Sequence, residues 1–556
     1  MRQGAAALAL ALAAAAVPAR AQVAAPAGAA PVVGAPDGPA APPRITVGIL
    51  GYRFRIVLPD SGARIAGSAV VRVARARARA ADTLALDLVG LTVRAVRGAG
   101  GAVLRWSYDG RVLRVVLPPA ARPGPDSLTV RYEGTPADGL LAGALPDGRP
   151  FWFADDWPDR ARGFIPTVDH PAYKAPVRWE IEAPAGVRVV ANGMLRGVAE
   201  LARGHRRWTY VERRAIPTYT MVFGAAPFAV SRHAPAVEGP DTTVNEVWTF
   251  PRDSAFADSV PFRRLTAIVE AGERLVGPFP YRKLAQVESA TRYGGMENAS
   301  AIFYDRGMYA ARRMGEGVVR HETAHQWFGD AVTERDWRHL WLSEGFATYF
   351  DLVLAAALGD DSALARGMRG SARDYFASDV TGRPLVDSAA QDLMGLLNAN
   401  SYNKGAWLLH MLRGEVGDSA FFRGIRDYYR TYRDSSVLSE DFERVVERAA
   451  GRNLGWFFRQ WLYQPGYPQL DVTVGWDGTA GRATLTVRQV QPAAWGLFRL
   501  PRVEVAFLAG AERVGAGTFA LEAVGGDQSF TFDLPIAPTT VHLDPTGRLL
   551  MTATVH

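Results

Sequence analysis

A multidomain α+β fold is predicted: a β-rich N-terminal domain, a mostly helical middle domain and a small C-terminal β domain. Three observations predict it. The chain has 556 residues, room for roughly three to four domains at about 150 residues each. Gly 56 and Pro 36 exceed ordinary usage, as many turns between many strands require. The spacing of apolar residues also changes from strand-like to helical near Asp253 and returns to strand-like from Pro468. With 48% hydrophobic and 21% charged residues, the composition is that of a globular protein and excludes wholesale disorder.

The N-terminus reads as a secretory leader. Arg2 precedes the apolar stretch Ala5–Val17, and Ala19-Arg20-Ala21 is a small-residue cleavage site, so residues 1–21 end before Gln22. An uncleaved membrane anchor is the alternative. No later segment reaches 18 apolar residues, so stable membrane insertion is not expected, and the mature chain is placed in the periplasm or outside the cell. Cys 0 fits export and removes disulfides, thiolate metal sites and cysteine nucleophiles. Residues 22–44, rich in Ala, Pro, Gly and Val, read as a flexible linker.

Residues 45–252 carry short β-branched or alternating runs, among them Tyr52–Leu58, Ser68–Val73, Thr83–Val89, Val112–Leu117 and Ser127–Tyr132. One antiparallel β domain is the simplest reading. Residues 253–464 carry amphipathic stretches at Ser259–Val276, Gly315–Phe328, His339–Leu358, Ser362–Phe376, Tyr402–Val416, Ser419–Arg430, Ser439–Ala450 and Leu454–Tyr463. Residues 465–556 return to strands. The net charge of +7 is dispersed. Its densest cluster is Arg72, Arg75, Arg77 and Arg79; the last three alternate with Ala and read as one solvated strand face. No nucleic-acid motif accompanies it, so no nucleic-acid partner is expected.

The informative segment is His321-Glu322-Thr323-Ala324-His325, an H-E-x-x-H pattern in a chain with His 9. On a helix the two imidazoles lie one turn apart on one face and can share one Zn²⁺. Glu344 follows nineteen positions after His325 inside the apolar run Trp341–Tyr349. An unpartnered carboxylate there would be costly, and Gly329-Asp330 ends the first helix, so Glu344 reads as a third ligand from the next one. His₂Glu leaves a fourth position for water, the pattern of a catalytic zinc. Glu322 lies beside that position as a general base, and the set suits amide hydrolysis without a covalent intermediate.

Three further motifs resemble the M1 family of zinc aminopeptidases, gluzincins of the alanyl aminopeptidase and leukotriene A4 hydrolase type. Gly294-Gly295-Met296-Glu297-Asn298 resembles the family's exopeptidase motif. His321 through Asp330 followed by Trp341 through Tyr349 resembles its zinc signature. Tyr402-Asn403-Lys404-Gly405-Ala406 resembles the segment of its catalytic tyrosine. Arg162 through Pro166, with Asp169, Pro171 and Lys174, is similar to a turn of the family's N-terminal domain. The resemblance implies an N-terminal β saddle, a thermolysin-like catalytic domain and a C-terminal β-sandwich. It implies one Zn²⁺ per chain on His321, His325 and Glu344, with Glu322 as base. Glu297 would pair with the substrate's α-ammonium, and Gly294, Gly295 and Met296 would line an extended peptide. Tyr402 would donate a hydrogen bond to the developing oxyanion. The partners implied are peptides with a free N-terminus.

There are departures. Trp157 stands where the family has a second Glu or Gln for the amine, with the shorter Asp155 and Asp156 beside it. Asp330 replaces an Asn, with an expected effect on the tuning of His325, and Thr167 replaces a Cys. The family's large helical C-terminal domain has no counterpart in this sequence, so an open cleft admitting longer peptides is expected. Two other readings stand beside the aminopeptidase: a zinc endopeptidase that needs no free amine, from which Glu297 discriminates, and a non-catalytic binding module on the same fold. Because histidine ligands must be neutral to bind metal, activity is expected to fall below roughly pH 6.

Overall fold

The computed structural model describes residues 40–43, 45–75, 81–120, 122–237 and 242–556. The expected leader, most of the expected linker, and Arg77 and Arg79 lie outside the described residues. The fold is multidomain α+β. It divides into two compact units: residues 1–337 with 391–394 and 426–438, and residues 338–390 with 395–425 and 439–556.

The first unit holds a seven-stranded sheet in the order Met194–Glu200, Arg206–Pro217, Lys174–Ala183, Gly48–Val57, Ile65–Arg75, Gly124–Gly134 and Thr92–Gly98. Alternation decides which face is covered. Tyr52, Phe54 and Ile56 point inward, with the Phe54 ring 5.0 Å from Trp179, while Arg55 points outward to Glu182. The sheet is not wholly antiparallel as expected. Gly48–Val57 pairs in parallel with Lys174–Ala183, from Tyr52↔Val177 to Val57↔Glu182. A long intervening chain permits this pairing, which a hairpin forbids.

Two further sequence expectations are corrected here. Arg75 is not on a solvated face. It is buried, with its guanidinium on the Pro118 carbonyl at 2.6 Å and on Asp126 at 3.3 Å; a paired arginine head allows this where an unpaired charge would not. The last residues of the expected linker are also pinned. Ala40 is buried, and its carbonyl accepts from the Trp337 amide and from His170 Nε2, both at 3.1 Å. Burial lowers His170 to about 4, so the ring is neutral, and its Nδ1 accepts from the Ala172 amide.

A five-stranded sheet in the same unit runs in the order Ala229–Arg232, Val244–Thr249, Lys283–Ser289, Ala301–Asp305 and Gly295–Met296. Its first two strands precede Asp253, so they pair with strands of the catalytic segment rather than with the N-terminal sheets. Lys283–Ser289 is buried along its whole length, which erases the alternation that marks a strand in sequence. Gly295–Met296 lies at the edge, antiparallel to Ala301–Asp305.

In the second unit the helices Trp341–Ala357, Ala363–Phe376, Gly405–Val416, Ser439–Ala450 and Gly455–Tyr463 follow the predicted periodicity closely. The C-terminal segment forms two sheets, one of Gln528–Asp533, Arg482–Gln489, Gln469–Asp477 and Thr552–Val555, the other of Glu512–Leu521, Leu500–Ala509 and Thr540–Leu543. They share a core: Phe507 meets Phe532 at 5.1 Å, and Phe519 stacks on Phe530 at 4.4 Å. Among the described residues no helix is long and apolar enough to cross a membrane.

Candidate active site

The helix Glu316–His325 carries the H-E-x-x-H pattern. Its first residue is acidic, as the positive helix end favours, and Glu316 is clamped by Arg264 at 2.5 Å and Arg320 at 2.7 Å. The one-turn spacing brings His321 Nε2 within 3.1 Å of His325 Nε2. His325 Nδ1 lies 3.1 Å from the Phe328 carbonyl. A carbonyl only accepts, so Nδ1 carries the proton and Nε2 presents its electron pair. Two imidazole nitrogens this close need a proton or a cation between them. The separation is near the roughly 3.3 Å edge of a tetrahedron with arms of about 2.0–2.1 Å.

Around this pair the first unit assembles the predicted carboxylates. Glu297, Glu322 and His325 each place a donor atom within 4.8 Å of the others, and all three are buried. The edge strand Gly295–Met296 runs against the base: a Cβ built on Gly295 would overlap the Glu322 carboxyl group. Gly294 stands just before the strand and its carbonyl accepts from the Asp305 amide at 3.3 Å. Met296 is buried beneath the edge and pairs with Phe303.

The departures from the family pattern have clear placements. Trp157 is buried, edge-on to Tyr293 at 5.9 Å and to Trp337 at 5.6 Å, and its carbonyl accepts from the Tyr293 hydroxyl. Asp155 is engaged by Arg160 at 2.8 Å and by the Thr291 hydroxyl at 2.7 Å. Burial pushes Asp156 well above the usual carboxylate range, with Asp169 and Asp155 adding repulsion. Glu297 therefore stands as the carboxylate that meets the base and the helix. Asp330 Oδ2 accepts from Gln326 Nε2 at 2.8 Å and its amide donates to the His325 carbonyl at 3.0 Å, while His325 Nδ1 turns to the Phe328 carbonyl. Burial, with repulsion from Glu297, holds the Asp330 carboxyl well above its ordinary range. Lys174 Nζ donates to the Asp330 and Ala331 carbonyls at 2.7 and 2.8 Å.

The second unit carries Glu344 and Tyr402. Glu344 is buried in the first turn of the helix Trp341–Ala357. Tyr402 is not on a regular helix as predicted. It sits in a π-turn, Asn400–Lys404, that leads into the helix Gly405–Val416. Side chains hold that turn: Asn400 Nδ2 donates to the Val380 and Arg383 carbonyls at 3.0 and 3.2 Å, and Ser401 Oγ donates to the Leu396 carbonyl at 2.8 Å. Single π-turns inside helices recur at functional sites.

Comparison with known proteins decides the family. The peptidase family M1 domain matches residues 264–461, and the peptidase M1 N-terminal domain matches residues 55–220. The chain belongs to peptidase family M1. Among curated M1 relatives, the probable aminopeptidase 1 of Saccharolobus solfataricus is 26% identical over 70% of this chain and 51% of its own length. The leucyl aminopeptidase of the same organism is 27% identical over 71% of this chain and 51% of its own length. The chain thus spans about half the length of the curated relatives it matches. The M1 zinc metallopeptidase of Deinococcus radiodurans is similar in structure, with a TM-score of 0.65 at 27% identity, over 76% of this chain and 94% of that one. A variant of that enzyme has been solved bound to a Tyr-Ser-Ala substrate, and matches with a TM-score of 0.64.

The donors of this M1 chain fit zinc, which takes neutral imidazole and carboxylate oxygen in a small, four-coordinate set. Sequence reasoning found the ligand and base candidates because their signal is local. It missed Gln326, Ser300 and the Phe328 carbonyl. Only the direct succession of Gln326 on His325 could have pointed to any of them.

Proposed function

We propose that this chain is an exported zinc-dependent aminopeptidase, acting in the periplasm or outside the cell on peptides with a free N-terminus. The observation that carries the reading is the junction of Glu297, Glu322 and His325, mutually within 4.8 Å, beside a sheet edge. Endopeptidase action needs only a base and a metal. A second buried carboxylate close to the base gives a positive charge a place near the scissile bond.

His321, His325 and Glu344 would hold the metal. Glu344 is supported as third ligand by its spacing from His325, its burial in the Trp341–Ala357 helix and the family signature. Bound zinc supplies Lewis acidity, lowering the pKa of a water and polarising the scissile carbonyl. Glu322 takes the proton of the attacking water and passes it to the leaving amine. Glu297 pairs with the α-ammonium. The open backbone of Gly294 and Gly295 receives the substrate as an added strand, with Met296 beneath it. Tyr402 donates a hydrogen bond from its hydroxyl to the oxyanion.

One panel tests this. Aminoacyl anilides should be hydrolysed, o-phenanthroline should abolish hydrolysis, zinc should restore it, and N-acetylated substrates should resist. Equal cleavage of free and acetylated substrates would make the protein an endopeptidase. No chelator-sensitive hydrolysis at all would leave it a binding module. N-terminal sequencing of exported protein should begin at Gln22.

A further inference from the structure

Gln326 ties Glu297 to the zinc-binding helix. Gln326 directly follows His325 and is fully buried. Its Nε2 donates to the Glu297 carbonyl and to Asp330 Oδ2, each at 2.8 Å, and its Oε1 accepts from the Ser300 amide at 2.8 Å. A flipped amide would set NH₂ against the Ser300 N–H and oxygen against the Glu297 carbonyl, so these partners fix the orientation.

The turn that Gln326 grips is also held from its far side. Asn192 Nδ2 donates to the Ala299 carbonyl at 2.6 Å, and Ser300 Oγ accepts from the Gly193 amide at 2.7 Å. Ser300 has φ 62, in the left-handed region that a residue with a side chain adopts only when its surroundings impose it. Met296, just before Glu297, is fixed by pairing with Phe303. After Glu297, the Gln326 amide tethers the chain to the helix at the Glu297 carbonyl and the Ser300 amide.

We propose that Gln326 is a positioning residue that sets the separation between Glu297 and His325, and thereby confines cleavage to the first peptide bond. This rests on the reading of Glu297 as the ammonium anchor. A displacement of about 1 Å between an anchor and the reacting centre can cost on the order of 10²-fold, here a loss in kcat/KM carried mainly by KM, because the anchor binds the ammonium in the ground state as well. Gln326 touches neither substrate nor metal in this scheme; it acts through the backbone of Glu297.

The test compares wild type with Gln326→Met, which keeps length and removes the amide, and Gln326→Asn, which keeps the amide but shortens its reach. The readouts are KM and kcat on an alanyl anilide and on its N-acetyl form, zinc per chain, and the first products from a pentapeptide. For both variants, KM for the free-amine substrate should rise about 10-fold or more with a smaller change in kcat. The free-to-acetyl preference should fall by about the same factor, dipeptide should appear among the first products, and zinc should stay at one per chain. An unchanged preference, or a fall in kcat at constant KM, would overturn the proposal. If neither variant folds, Gln326 is a structural residue and the proposal fails. A wild type without preference for the free amine would instead refute the anchor role of Glu297.

Discussion

Gly345 and Gly405 meet backbone to backbone. A Cβ on Gly345 would lie 2.8 Å from the Gly405 Cα, and one on Gly405 would lie 2.9 Å from the Gly345 Cα. This contact brings the helix bearing Glu344 against the helix that follows Tyr402. Helix axes approach this closely only where no side chain intervenes. Gly345→Ala should cost roughly 1–3 kcal/mol by overpacking. Thermal unfolding should show a clear fall in Tm, with loss of peptidase activity because Glu344 is the residue just before it. An unchanged Tm would mean that the helices slide apart at little cost.

Glu322 is assigned proton transfer and not metal binding. Glu322→Gln keeps the shape beside Gly295 and removes the base. Zinc per chain should stay near wild type while kcat falls about 10²–10⁴-fold. Metal analysis on the same preparation used for kinetics checks both halves. Loss of zinc would move Glu322 into the ligand set.

The π-turn around Tyr402 is held by Asn400, whose Nδ2 faces the Val380, Arg383 and Pro384 carbonyls. Asn400→Ala should release the turn and lower kcat, with KM nearly unchanged, because the hydroxyl acts on charge that develops in the transition state. In a Tyr402→Phe background the same substitution should add little further loss. Full additivity of the two effects would separate Asn400 from the tyrosine.

Lys404 is fully buried, and its Nζ donates to the Gln464 carbonyl at 3.0 Å. Burial pushes its folded-state pKa down to about 7, while the unfolded chain titrates near about 10.4. Between these values the unfolded state holds a proton that the folded state lacks, so this site makes stability rise with pH by up to about 1.4 kcal/mol per unit. Below about pH 7 both states are protonated and the contribution is flat. Lys404→Met removes this slope. Urea unfolding of both proteins at pH 7 and pH 10 should show the variant gaining less from the alkaline shift. Equal gains would contradict a neutralised Lys404.

Much of the candidate site was legible because its signal is local. His321, Glu322 and His325 follow one helical turn, and the helix boundaries were read closely from apolar spacing. Glu344 was singled out because a carboxylate inside an apolar run demands a partner. The π-turn at Tyr402 was not legible, since a single residue of extra winding leaves the apolar pattern almost unchanged. Arg75 was misread because alternation assigns residues to faces without saying which face is covered. The strand Lys283–Ser289 was hidden because burial on both faces removes alternation altogether.

The amino-acid sequence by itself determined the β, helical and β character of successive segments and the imidazole pair with the carboxylate beside it. Each depends on residues a few positions apart, where backbone geometry alone dictates who can meet whom. Only the tertiary structure decided that Gly48–Val57 lies parallel to Lys174–Ala183, that Asp155 is engaged by Thr291, and that Gln326 links Glu297 to the zinc-binding helix. Those relationships join segments far apart in the chain. Long loops set no register, so packing and the need to pair every buried polar group make the choice.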